Sequence, residues 1–142
     1  MDVLAGYGIR GIVTEDPGVW VPSSSSSSMD QGGTGPGVEQ AKKITAVGVH
    51  LRRNISSYGI GFNVTDEPMW FFRQIVACGL EGRETTSLQG QGVEGVSIGE
   101  VAEQFVKAFT ERVNRDFTCA EGQGGRGEEI EEVYRVEKED LL

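Results

Sequence analysis

The sequence predicts an α/β fold, a small sheet with two main helices, on three observations. Residues 43–51 (KITAVGVHL) alternate small and branched side chains as a strand does. Past the turn former Asn54, residues 55–64 (ISSYGIGFNV) make a second such run. Residues 98–117 repeat apolar side chains at helical spacing behind Ser97-Ile98-Gly99-Glu100, which matches a capping box. A chain of 142 residues sets a prior of one domain. Two stretches poor in apolar residues, 22–40 and 121–142, contribute nothing to a core, and the remainder supports a small one.

Taken in order, residues 4–10 (LAGYGIR) are too short and glycine-rich for a complete element and read as the end of one. Asp16-Pro17-Gly18 is a turn signal: proline presets φ and glycine tolerates a positive φ. Residues 18–21 then read as a strand, and the Ser/Gly segment 22–40 as a flexible hairpin extension. In 43–51, Ile44, Ala46 and Gly48 share one face and Val47, Val49 and Leu51 the other, so burial on both faces is expected. His50 falls on the face opposite Lys43. In 55–64, Tyr58, Ile60, Phe62 and Val64 share a face, while Gly59 and Gly61 leave the other bare. Such glycines mark a bend or a close approach by a backbone or ligand.

Asp66, Glu67 and Pro68 open a helix whose apolar load is residues 69–77, with Cys78 at its end and Gly79 to stop it. In the helix over 98–117, the stripe Ile98, Val101, Ala102, Phe105, Phe109 and Val113 reads as core packing. The last 22 residues carry eight acids against Arg126, Arg135 and Lys138, so five of the nine net negative charges lie in a solvated tail.

Composition narrows the function classes. An acidic chain without a basic stripe does not point to nucleic acid. Cys78 and Cys119 are the only cysteines, which fits a reducing compartment and, with one histidine, falls short of a tetrahedral metal set. No run is long and apolar enough to span a bilayer, and the first residues, MDVLAGYGIRG, have neither signal-peptide nor transit-peptide character.

The chemistry candidates are few. Cys78 is the candidate nucleophile, because a thiolate attacks well once a neighbouring cation stabilises it, although a lone cysteine also serves as a small hydrophobe. Two residues could assist it. His50 would make a Cys-His hydrolase or transferase dyad; Lys43, at the strand entrance, could serve as acid and base if partly desolvated.

Four segments, PGVWV (17–21), KITAVGVHLRR (43–53), SYGIGFNV (57–64) and FFRQIVACGLEGRETTSL (71–88), resemble in this order the C-terminal half of the lipoyl/octanoyl transferase family, in its fungal mitochondrial form. The resemblance implies a partial biotin/lipoate protein ligase-like mixed sheet. It makes Cys78, in Ala77-Cys78-Gly79, the nucleophile that takes an octanoyl or lipoyl group from acyl carrier protein as a thioester. Lys43, not Lys42, becomes the proton-transfer lysine. Ala46, Val47, Gly48, Gly59, Ile60 and Gly61 become the substrate-binding strand positions, the glycines leaving a bare face for an acyl chain.

The implied acceptors are lipoyl domains of 2-oxoacid dehydrogenases and the glycine cleavage H protein, with no cofactor, metal, nucleic acid or membrane partner and a mitochondrial location. Residues 1–118 would be the C-terminal part of the catalytic domain and 119–142 a tail. Two departures are visible: Tyr58 stands where many relatives have histidine, and the family's Arg-Gly-Gly and His-Gly-Pro-Gly segments do not occur in this sequence. The alternative expectation is therefore an inactive truncated fragment that at most binds a lipoyl domain or acyl carrier protein.

Overall fold

The structure is a computed structural model and describes residues 1–22, 41–53, 55–57, 59–76, 82–120 and 133–134, with the backbone alone for 116–120. The chain forms two compact units, Met1–Val101 and Ala102–Leu142.

The first unit begins with a short helix, α1 (Asp2–Gly6), that buries Val3 and Leu4. Of residues 4–10, expected as the end of an element, only Leu4 to Gly6 are helical; they close a short helix that starts at Asp2, and Leu4 belongs to the core. Five strands follow: β1 (Val19–Val21), β2 (Lys42–Val47), β3 (His50–Arg52), β4 (Ile55–Ser57) and β5 (Ile60–Phe62). A single helical turn, α2 (Met69–Phe72), and a 3₁₀ turn (Gln89–Gln91) precede the long helix α3 (Ile98–Ala120).

β2 is central in a three-stranded sheet of order β1-β2-β5, antiparallel on both sides. Val21 stands opposite Lys42, so the connection containing residues 23–40 links antiparallel neighbours, as the hairpin expectation requires. Those residues, like Cys78 and the acidic segment 121–132, lie outside the described residues. One parallel bridge, Lys43 with Thr85, joins the otherwise antiparallel arrangement.

The two expected strands, 43–51 and 55–64, form one long hairpin. Val47 faces Ile60, the Gly48 N–H donates to the Gly59 carbonyl at 2.8 Å, and His50 faces Ser57, so the register holds through the break between β2 and β3. Its turn begins at Arg53, whose φ is +52°. Two-residue hairpin loops need a positive φ there to match the twist of the strands.

Two-sided burial, expected for 43–51, holds only for Lys43, Ile44 and Thr45. From Ala46 onward the strand is exposed, with Leu51 71% and Ile55 70% accessible. The reason lies in the neighbours. Residues 43–45 have backbone partners along both edges, whereas β3 and β4 pair only with each other. A two-stranded arm cannot cover its own faces.

The core gathers where α1, β1, the first half of β2 and the segment after β5 supply apolar groups. Trp20, Leu4, Ile44 and Leu88 are fully buried there, with Val64, Met69 and Val101 close to it. Each buried aliphatic side chain contributes about 1.5–3 kcal/mol relative to exposure. The second main helix, expected over 69–77, contracts to one turn with Met69 inside. Trp70, Phe71, Ile75 and Val76 are exposed, so the expected apolar load stays outside the core.

Ser97 caps α3 as expected. Its backbone N–H and hydroxyl each donate to Glu100 Oε2 at 2.8 Å, and the Glu100 N–H donates back to Ser97 Oγ at 3.2 Å. The expected core stripe is only partly inward: Val101 is buried, Phe105 stacks on Phe109 at 5.7 Å, and Phe109 is 53% exposed. Helical spacing sets which residues share a face, but not whether a partner covers it.

Gly18, at φ +127°, has Thr45 O where a Cβ would stand, at 2.4 Å. Gly18→Ala should therefore lower unfolding free energy by about 1–3 kcal/mol from backbone strain, with the clash added, as read by urea titration. The Ser97 hydrogen bonds, backbone first, hold the Glu100 carboxyl below the ordinary carboxylate range. A lowered folded-state pKa gives stability present above the unfolded value and lost as pH falls through the folded one. Helical ellipticity should fall across that acidic window, and Glu100→Gln should remove this part of the pH response.

Candidate active site

β2 opens on two lysines with opposite fates. Lys42 pairs with Glu84 at 2.6 Å, both side chains well exposed. The hydrogen bond from Lys42, and then its charge, hold the Glu84 carboxyl below its ordinary value against a small opposing effect of burial. Lys43 instead turns inward and is 8% exposed, its ammonium 4.7 Å from the centroid of the Trp20 ring. Among the described residues no carboxylate pairs with it.

A register shift makes this contact. Val19 stands opposite Thr45, but one step further Trp20 stands opposite Lys43, so one step on β1 spans two on β2. An unbroken register would place Ile44 there. Such bulges re-aim side chains.

The turn before β1 builds the other walls. The Trp20 indole N–H donates to the Asp16 carbonyl at 3.2 Å, fixing the ring. The Asp16 carboxylate accepts from Arg83 Nη2 at 2.9 Å and Nε at 3.3 Å. The Arg83 guanidinium lies 4.6 Å from the same ring centroid. Trp20, Asp16 and Arg83 do not figure among the sequence-derived site residues. Their signals are indirect: Trp20 and Arg83 lie in PGVWV and GLEGRETTSL, which carry the family resemblance, and Asp16 opens the Asp16-Pro17-Gly18 turn.

Cys78 lies outside the described residues, as do Ala77 and residues 79–81, but both flanks are placed. Downstream, the Lys43 N–H donates to the Glu84 carbonyl at 2.8 Å and the Thr86 N–H to the Lys43 carbonyl at 2.9 Å. The chain therefore runs alongside Lys43 six residues after Cys78. Short polar side chains lock this return. Asn63 Nδ2 donates to the Thr86 carbonyl at 3.0 Å, and Ser87 Oγ donates to Asp66 Oδ1 at 2.5 Å while accepting from the Gly90 N–H at 2.9 Å. The Asp66 N–H donates to Gln89 Oε1 at 3.0 Å. Such side-chain to backbone bonds have no periodicity that a sequence could show.

The six strand positions divide between two faces. Ala46 stands opposite Gly61, and Gly48 bonds to Gly59, so this face carries one methyl and three glycines. A Cβ added at Gly48, Gly59 or Gly61 would meet nothing within 4 Å. Val47 and Ile60 stand opposite each other on the other face, 42% and 37% exposed. His50 lies in the exposed arm opposite Ser57. Among the described residues no cluster of three metal-ligating side chains occurs, and no helix is long and apolar enough to cross a membrane.

No protein-family model matches the chain. Individual relatives do. The chain is 50% identical over 60 residues to a protein named probable octanoyltransferase from Schizosaccharomyces pombe, covering 42% of this chain and 27% of that one. It is 31% identical over 112 residues to the mitochondrial octanoyl-acyl-carrier-protein:protein N-octanoyltransferase of Danio rerio, covering 79% and 42%. It is 32% identical over 110 residues to the octanoyltransferase of Paracoccus versutus, covering 77% and 66%. The chain thus spans between about a quarter and two thirds of the length of these relatives.

The return segment and the exposed ion pair should respond differently to truncation. Ser87→Ala leaves the Asp66 carboxylate and the Gly90 N–H without a partner and should cost about 1–3 kcal/mol. Lys42→Ala, which removes an exposed pair, should stay within about 1 kcal/mol. Paired denaturant melts would reverse the assignment if Lys42 proved the more costly.

Proposed function

We propose, for a chain that belongs to the octanoyltransferase family, that it performs acyl transfer through Cys78 with Lys43 as the proton carrier. The observation that carries this reading is the pairing of Lys43 with residues 84–86, the segment leading back to Cys78, while the neighbouring Lys42 is engaged outside by Glu84.

In this reading Lys43 takes the proton from the Cys78 thiol. The thiolate attacks the thioester carbonyl of octanoyl-acyl carrier protein, the bond from that carbonyl to the carrier's sulfur breaks, and the carrier leaves as a thiol with the proton from Lys43. A lysine amine of the acceptor then attacks the Cys78 thioester. The amide forms, Cys78 sulfur departs, and Lys43 carries the amine's proton back to it. Protons and acyl group balance over the cycle, and no cofactor is needed.

The acyl chain is assigned to the exposed hairpin. Val47 and Ile60 offer apolar contact on one face, and Ala46, Gly48, Gly59 and Gly61 offer bare backbone on the other. The acceptors are lipoyl domains of 2-oxoacid dehydrogenases and the glycine cleavage H protein, in the mitochondrion, the location in the name of the Danio rerio relative. The finer fold reading, a biotin/lipoate ligase-like sheet, belongs to the same proposal.

Incubation of the folded chain with octanoyl-acyl carrier protein should leave an octanoyl adduct, seen by intact mass and mapped to Cys78. Cys78→Ser should abolish it, and Lys43→Met should slow its formation by about a hundredfold or more. Carrier binding that survives Cys78→Ser, without any adduct on wild type, would reduce the chain to a docking protein. A dependence on His50→Ala with Lys43→Ala unaffected would move the chemistry to a Cys78–His50 pair.

A further inference from the structure

We propose that Trp20 is the positioning residue for Lys43, its ring face holding the ammonium in place while Arg83, tied to Asp16, braces the same ring. The proposal rests on the reading of Lys43 as proton carrier. It adds the residues that aim it.

A lysine as buried as Lys43 ordinarily finds a carboxylate. Among the described residues, Asp16 is engaged by Arg83 and Glu84 by Lys42. What the ammonium meets among the described residues is the face of an indole, 4.7 Å to the centroid. The negative face of the ring attracts a cation. Unlike a carboxylate, it has no site for the proton, so the contact fixes where the charge stands without competing for what the lysine must pass on.

Four features make this a built arrangement. The ring is wholly buried. Its N–H is held by the Asp16 carbonyl. The bulge puts Lys43 rather than Ile44 opposite it. Gly18 clears the lysine stem, because a Cβ there would stand 3.3 Å from Lys43 Cε. Arg83, 4.6 Å from the centroid and with its charge met by Asp16, links the ring to the segment that returns from Cys78.

The test changes the ring's electrostatics without changing its shape. Trp20 alone is replaced in the full chain by mono-, di- and trifluorotryptophan through nonsense suppression. The single-turnover rate of Cys78 acylation should fall stepwise, by about tenfold across the series, with KM for octanoyl-acyl carrier protein unchanged. A flat series on chains that melt like wild type would overturn the proposal. Trp20→Phe should keep part of the rate and Trp20→Leu lose most of it. The contact also has a readout that needs no turnover: in wild type, the Lys43 ε-methylene protons should resonate upfield from the ring current of Trp20. Ordinary positions would overturn the proposal by themselves. Absence of any adduct on wild type, with the upfield shift present, would instead refute the acyl-transfer reading and leave the contact standing.

Discussion

Buried backbone N–H and C=O groups must find partners, and β2 finds them in three separate segments. β1 takes one edge. The other edge is shared, Thr45 to Val47 pairing with β5 and Lys43 with the segment around Thr85. This sharing brings the return from Cys78 against the start of β2. It also explains why burial ends where it does, since beyond Thr45 the strand loses β1 and keeps only one neighbour.

The slip in the β1–β2 register acts within that frame. It costs one unpaired position and gains the facing of Lys43 and Trp20 in place of Ile44 and Trp20. Ile44 is then free to be fully buried in the core. The turn at Asp16-Pro17-Gly18 has a corresponding double duty. Its glycine admits the close approach of Thr45, and its aspartate holds both the indole, through its carbonyl, and Arg83, through its carboxylate.

Several sequence expectations failed for a common reason. Residues 69–77 and the Phe105–Phe109 stripe have the composition of buried helix faces, yet Phe71 is 64% and Phe109 53% exposed. The Val49–Leu51 run reads as a two-sided buried strand and lies in the exposed arm. Periodicity reports which side chains travel together along an element. Whether they are covered depends on what the rest of the chain places over them.

Local chemistry was legible in the sequence. The Ser97–Glu100 box and the Asp16-Pro17-Gly18 turn act through neighbours within a few residues, so spacing alone locates them. The four segments that carry the family resemblance, with Cys78 and Lys43 in them, were legible only as likeness to a family and not from spacing. Only the tertiary structure separated Lys42 from Lys43 in space, put Trp20 and Arg83 around the second, and tied residues 84–91 to β2 and the end of β5. Those contacts join residues distant in sequence through a one-residue shift and a set of unpatterned polar bonds. No period in the chain encodes either of them.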